Sequence, residues 1–322
     1  MTHDLLTLGR ISVDVYPDDI GVPLQDVTTF GKYLGGSPAN VAVAAARYGH
    51  RVGLISRTGD DPFGEYLHRE LHRYGVDETQ VLPVQGLQTP ATFCAIMPPE
   101  DFPLYFYGRF PTAPDLQIEP GQIDLDAVRE ARIFWTTVTG LCQSPAREAQ
   151  FEAHAARPRD HLGPQEHTIL DLDYRPMFWS SREEAAEQVR RNLDCATIAI
   201  GNREECAVAV GDADPEEQAD RLLEAGLRLA VVKMGSDGVM AKSAEQTVIS
   251  APVPVQTQNG LGAGDSFGGA FVHGLLEGWE LQQILDFANA AGAIVASRIA
   301  CSEAMPDQTE VMQLLTEHGR GF

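Results

Sequence analysis

The run Gly260-Leu261-Gly262-Ala263-Gly264-Asp265-Ser266-Phe267-Gly268-Gly269 passes directly into a helical stretch carrying Phe271, Val272, Leu275 and Leu276. A Gly-rich turn that opens a helix presents unpaired N–H groups and the positive end of the helix dipole, a setting that suits an anionic phosphoryl group. Small residues at Gly262, Ala263 and Gly264 let the backbone come close, and their amides would form an anion hole. Asp265 then places a carboxylate beside that anion, which is electrostatically awkward unless it accepts a proton. A general base aimed at a hydroxyl fits the position. The competing reading is a tight connection whose Asp caps the next helix. Neither G-x-x-x-x-G-K-[ST] nor G-x-G-x-x-G occurs here, the second failing at Phe267, so both common nucleotide fingerprints are missing.

Towards the N-terminus, Gly35-Gly36-Ser37-Pro38-Ala39-Asn40 forms a second glycine-led helix start, with Ser37 as expected N-cap and Pro38 at the first helical position. Asn40 offers a donor and an acceptor to a polyhydroxylated ligand, or is simply solvated in an ordinary cap. Between these two segments, short apolar runs alternate with helical patterns. Leu5–Leu8, Val52–Ser56, Ile133–Thr136, Thr168–Leu172, Thr197–Ile200 and Leu229–Lys233 read as buried parallel strands. Leu67, Leu71 and Tyr74 mark one helix face, closed by Gly75, and Gly49 closes the helix before it. The rhythm predicts an α/β fold, a mostly parallel sheet with helices on both faces, ligands binding at the carboxyl ends of the strands. Residues 12–33 and 91–110 break it with Pro, aromatics and no helical period. They read as a small β lid, or as two long surface loops, within one domain spanning 1–322. Residues 157–167 read as a solvated connection.

The 322 residues carry 46 acidic against 24 basic side chains, a net charge of −22, the wrong sign for a general binder of nucleic acid or anionic membranes. Five cysteines without a C-x-x-C pair argue against a disulfide scaffold or structural zinc, Cys195 and Cys206 reading as small hydrophobes, and the nine histidines show no clustering. No signal-peptide pattern or 20-residue apolar run is seen, so a cytoplasmic protein with reduced thiols is expected.

Taken with Gly59-Asp60-Asp61-Pro62-Phe63-Gly64, Asn202-Arg203-Glu204-Glu205 and Lys233-Met234-Gly235-Ser236-Asp237-Gly238, the two glycine-rich segments resemble, in order and across the whole chain, the signatures of the ribokinase-like carbohydrate kinases, the PfkB family. Residues 98–109 and Leu170-Asp171-Leu172-Asp173-Tyr174-Arg175-Pro176-Met177-Phe178-Trp179 are further similar to members acting on deoxy keto sugar acids. The resemblance implies an ATP- and Mg²⁺-dependent kinase in which Asp265 takes the proton of a primary hydroxyl. It implies that Asp14, Gly35, Gly36 and Asn40 read the sugar. Tyr107, Arg109 and Arg175 are further substrate candidates, Arg109 for a carbonyl or terminal hydroxyl. Arg175 reads equally as a salt bridge to Asp171 or Asp173, and at least one of Tyr105 and Tyr107 as a core aromatic of the lid. Asn202, Glu205, Lys233, Gly235, Gly238, Asn289 and Ala293 are placed at the nucleotide, Glu205 touching Mg²⁺ through water. Asn289, Ala293 and Ser297 fit close helix packing as well. Asn259-Gly260 replaces the family's Asp-Thr, which bears on nucleotide contacts and on the K⁺ site of some relatives. A homodimer paired through the lid is expected. A binding protein that had given up turnover would have no chemical need for Asp265, and a dinucleotide oxidoreductase would need the missing fingerprint. With Lys233 the only lysine in the nucleotide segments and the whole field repelling anions, backbone amides and Mg²⁺ must supply most of the positive potential.

Overall fold

A computed structural model describes residues 2–98 and 102–321. Its strands in chain order are β1 (Leu5–Leu8), β2 (Ser12–Pro17), β3 (Phe30–Gly35), β4 (Val52–Gly59), β5 (Val76–Val84), β6 (Ala91–Cys94), β7 (Leu104–Tyr107), β8 (Ile133–Thr137), β9 (His167–Asp171), β10 (Ile198–Asn202), β11 (Leu229–Lys233), β12 (Val239–Lys242) and β13 (Thr247–Ser250). Nine of them form one sheet in the order β13-β12-β11-β10-β9-β8-β1-β4-β5, parallel except for β12 and β13. The helices are α1 (Ser37–Arg47), α2 (Pro62–Tyr74), α3 (Leu125–Glu130), α4 (Ala146–Ala155), α5 (Arg182–Leu193), α6 (Arg203–Val210), α7 (Pro215–Glu224), α8 (Ala263–Glu277), α9 (Leu281–Ala296) and α10 (Gln308–Glu317).

Alternation along the strands decides which helices cover which face. Leu5, Leu54, Trp135, Ile169, Ile200 and Val231 pack with α1, α2, α8, α9 and α10 in one core. Their neighbours Leu6, Leu8, Ile55 and Phe134 meet α3 and α4, and Leu170, Ala199, Ala230 and Val232 meet α5, α6 and α7. Both faces are therefore buried, which is why these strands read as continuous apolar runs. The expected helices on both faces are present. Strand order reverses around β1, with β4 and β5 on one side and β8 to β11 on the other, and such a switch point leaves a crevice at the carboxyl ends.

Residues 12–33 and 91–110 supply a second sheet in the order β3-β2-β6-β7, leaving the chain right after β1 and rejoining the main body at α1. Pro99, Glu100 and Asp101, within the second of these segments, lie outside the described residues. The helix start at α1 sits one residue earlier than expected: Gly36, not Ser37, is the cap, at φ 99°. A Cβ there would fall 2.5 Å from the Arg10 carbonyl oxygen, so only glycine joins β3 to α1 at this approach. The 157–167 connection is tied down rather than merely solvated. Buried Arg157 donates to the carbonyls of Val128, Arg129 and Arg132, and Arg228 to those of Arg159, Leu162 and Gly163.

The five thiols are free, with Cys206 buried and Cys195 half-buried. Contrary to expectation, two histidines do meet: His50 and His273 are hydrogen-bonded at 2.7 Å with Glu277 alongside, because the end of α8 packs on the turn after α1. Among the described residues no helix is long and apolar enough to cross a membrane.

Candidate active site

Two cavities meet over the carboxyl ends of the strands. The first, about 250 Å³, is polar and is walled by groups that follow β1, β9 and β11 together with the two glycine-rich helix starts. The second, about 440 Å³, is a largely apolar cleft between β12, α8 and α9. Lys233, Gly260 and Gly264 belong to both walls, so a molecule in the cleft and one in the polar cavity would touch at this point.

The junction is built by the start of α8. Gly262 caps the helix in the left-handed region, φ 78°, and the first intrahelical bond runs from the Ser266 N–H to the Gly262 carbonyl at 2.8 Å. The amides of Ala263, Gly264 and Asp265 precede that bond and are the orphan donors of the helix N-terminus. Asn259 explains how the departure from the family's Asp-Thr is accommodated. Fully buried, its amide donates to the Ile299 carbonyl at 2.6 Å while its oxygen accepts the Leu261 N–H at 3.1 Å, clamping the turn. Gly260 leaves room for the Phe102 ring, which a Cβ would meet at 3.1 Å.

Asp265 lies in the polar cavity, in the first turn of α8. Burial raises its carboxyl above the usual range, while the hydrogen bond from Asn40 and the nearby Ser37 hydroxyl pull the other way. The Asn40 amide donates to Asp265 Oδ2 at 2.8 Å, and the Asn40 oxygen is buried without a protein partner, free to accept from a hydroxyl. Replacing Asn40 by Ala removes a donor to the ionised form but leaves the burial, so the Asp265 pKa rises further. The acid limb of kcat/KM is then expected to move to higher pH, with a loss of about tenfold at pH 7, measurable as a pH profile of both proteins.

Asp14 lines the same cavity. Its carboxyl is pushed up to about 6 by burial, against Arg10 and the hydroxyls of Tyr16 (2.9 Å) and Ser12 (3.2 Å). Gly35 is behind it rather than in the cavity: a Cβ there would fall 2.0 Å from Asp14 Oδ1. Tyr16 also meets the Cys301 thiol at 2.8 Å.

The remaining expectations separate. Gly36, Arg175, Glu205 and Lys233 line the polar cavity, and Ala263, Gly235, Gly238, Asn289 and Ala293 the cleft, where Asn289 also donates to Ser250 Oγ at 2.8 Å. Ser297 instead closes α9, donating to the Ile294 carbonyl. Arg175 also forms the alternative salt bridge, to Asp173 at 2.8 Å. Three candidates stand elsewhere. Arg109 is buried against Asp115 at 2.6 Å, its guanidinium 4.8 Å from the Phe178 ring, because the Gly108 turn sends it away from the sheet. Tyr107 is 61 % exposed, since alternation on β7 turns Leu104 and Phe106 inwards and both Tyr105 and Tyr107 outwards, so neither tyrosine is a core aromatic. Asn202 caps α6, its oxygen accepting the Glu205 N–H while Glu205 accepts the Asn202 N–H.

Arg10, Asp171 and Asp173 line the polar cavity and were not among the sequence candidates. Each stands at or just beyond the carboxyl end of a parallel strand, and that position is the signal that could have found them. Burial pushes Asp171 well up, with Lys233 opposing. Lys233 is half-buried among Asp171, Glu205 and Asp265, which hold its ammonium charged.

The pfkB family carbohydrate kinase profile matches residues 2–308. A 5-dehydro-2-deoxygluconokinase of Shouchella clausii is 36 % identical over 98 % of this chain and 96 % of its own, and one of Clostridium tetani is 33 % identical over 98 % and 93 %. Among solved structures, an E. coli protein provisionally named ribokinase II, crystallised with ATP and Mg²⁺, superposes with a TM-score of 0.88 at 23 % identity, covering 98 % of this chain and all of that one.

Proposed function

This chain belongs to the pfkB family of carbohydrate kinases, and from that premise we propose that it transfers the γ-phosphoryl group of ATP to the primary hydroxyl of a deoxy keto sugar acid, 5-dehydro-2-deoxygluconate. The step belongs to inositol breakdown. The observation that carries the reading is the junction itself, where the half-buried Asp265 carboxylate and the free amides of a helix N-terminus face the meeting point of a polar cavity and an apolar cleft. The cleft takes the nucleoside, with Gly235, Gly238, Asn289 and Ala293 against the adenosine end. The polar cavity takes the acceptor, whose hydroxyls meet Asp14 and Asn40.

Phosphoryl transfer passes through a loose transition state, so positioning and electrostatics carry most of the catalysis. Asp265 accepts the hydroxyl proton as the bond to phosphorus forms. The amides of Ala263 and Gly264 and the Lys233 ammonium hold the charge on the transferring oxygens. The donor set fits a hydrated divalent cation: Asp171, Asp173 and Glu205 are buried carboxylates around one lysine, and Asp173 Oδ2 has no protein partner. Mg²⁺ held there through water would neutralise the phosphates. Asn259 is neutral and bound to the Ile299 carbonyl, so K⁺ is a variable for the assay. The second sheet acts as the lid over the acceptor, and its exposed Phe30, Tyr105 and Tyr107 suit pairing with a second copy, which a solution mass would test. A cytoplasmic location fits an ATP-consuming enzyme.

The test is ATP consumption by the purified protein with Mg²⁺ across a panel of 5-dehydro-2-deoxygluconate, 2-keto-3-deoxygluconate, fructose and ribose. The expected result is highest kcat/KM with the first, and no turnover of any acceptor would remove the proposal. The cavity also orders the cations. Five carboxylates (Asp14, Asp171, Asp173, Glu205, Asp265) face three basic groups (Arg10, Arg175, Lys233). Lys233→Met is expected to weaken ATP binding about tenfold, and withdrawing Mg²⁺ to weaken it by at least a further tenfold, read by calorimetry. A larger effect of the lysine would invert this account.

A further inference from the structure

Three cations line the polar cavity, and two are already matched by acids. Lys233 sits among Asp171, Glu205 and Asp265, and Arg175 is 2.8 Å from Asp173. Arg10 feels the charge of Asp14 and Asp265 but, among the described residues, forms no direct ion pair with either. It is 8 % exposed, and its one side-chain hydrogen bond is a long one, 3.3 Å from Nη1 to the Ser12 hydroxyl. Its Nε is buried with no partner. The guanidinium lies 5.4 Å from the centroid of Phe106, a lid residue that also packs edge-on against Phe178, and this contact fixes its position without using a donor. A buried guanidinium with unmet donors, aimed into a cavity, calls for a planar anion.

We propose that Arg10 binds the carboxylate of the acceptor and is thereby the residue that makes this enzyme prefer a sugar acid to a neutral sugar. The assignment rests on the reading of the acceptor as a deoxy keto sugar acid. It takes the place left by Arg109, whose charge is matched by Asp115 outside the cavity. The nucleotide phosphates are the other possible anion. Lys233, Gly260 and Gly264 border both cavities whereas Arg10 borders only the polar one, so Arg10 belongs to the acceptor end and not to the phosphate junction. Five carboxylates in the same cavity explain why the acid needs such a group, since without it the acceptor's charge would be repelled. A guanidinium suits the task better than an ammonium because its fork meets both carboxylate oxygens.

The experiment compares kcat/KM for 5-dehydro-2-deoxygluconate and for its neutral C1 amide, in the full-length enzyme with Mg-ATP. The native enzyme is expected to favour the acid strongly. Arg10→Met should lower that preference by about 10- to 100-fold, the loss falling on KM for the acid while KM for ATP changes less than threefold. Arg10→Lys, which keeps the charge and loses the fork, should fall between. If Arg10→Met depresses acid and amide alike, Arg10 only supports Asp14 and the lid, and the assignment fails while the sugar-acid reading stands. A native enzyme that treats acid and amide equally also defeats the assignment. A native enzyme that phosphorylates neither, but does phosphorylate a neutral sugar, defeats the substrate reading first. Should the Met variant not fold, the native ratio and the Lys variant decide the matter.

Discussion

Asp265→Asn is expected to lower kcat by about 10²- to 10⁴-fold, the range for removing a positioned general base, while ATP binding changes little. Asn keeps the size of the side chain and its contact with the Asn40 amide, now 2.8 Å from Oδ2, so the cavity retains its shape. What is lost is the site that takes the proton. Burial already raises this carboxyl, bringing it closer to the pH at which the enzyme works and making it a better base than a solvated aspartate. The measurement is kcat by coupled assay beside ATP affinity by calorimetry. Turnover within threefold of native would take Asp265 out of the role.

Gly262→Ala should be nearly as damaging, with kcat/KM reduced about 10²- to 10³-fold, the scale for losing one oxyanion donor. Two constraints meet at this residue. Its φ of 78° lies where a Cβ strains the backbone, and that Cβ would fall 2.6 Å from Cys301 Sγ and 2.9 Å from Cys301 Cβ. The second contact is to an atom fixed to the main chain, so the turn must move and carry the Ala263 and Gly264 amides away from the phosphoryl group. Pairing Gly262→Ala with Cys301→Gly removes the collision but not the strain, and should recover part of the thermal stability and little of the rate. Native kcat/KM in Gly262→Ala would show that these amides do not form the anion hole.

The parts of the site that could be read in advance share a physical property. The glycine turn at 262–264, Asp265, and the cap at Gly36 to Asn40 each have their chemistry inside ten consecutive residues, where glycine conformation and the helix dipole act locally. The second sheet was legible for a related reason, since a lack of helical period is itself a local signal. Arg109 and Tyr107 were misplaced because an aromatic, arginine-bearing segment looks the same whichever face it presents. Only Asp115 and the alternation on β7 show where those side chains turn. Asn202 was ambiguous for the converse reason: its capping of α6 uses groups three residues apart, but a cap and a ligand contact have the same residue types.

The sequence by itself determined the α/β class, the glycine turn that opens α8 with Asp265 in its first turn, and the sign of the protein's field. Tertiary structure alone decided that Arg10, Asp14, Asp171, Asp173 and Lys233 share one cavity, because parallel strands far apart in the chain bring their carboxyl ends to a single crevice. It also decided which cations are already neutralised there. Pairing depends on how closely groups from different strands approach one another, as Lys233 at the end of β11 approaches Asp171 at the end of β9, and no periodicity or composition encodes that approach. The net charge of −22 set the problem of holding two anions, and the fold answers it locally, with one helix start, one lysine among acids and one arginine that makes no direct ion pair among the described residues.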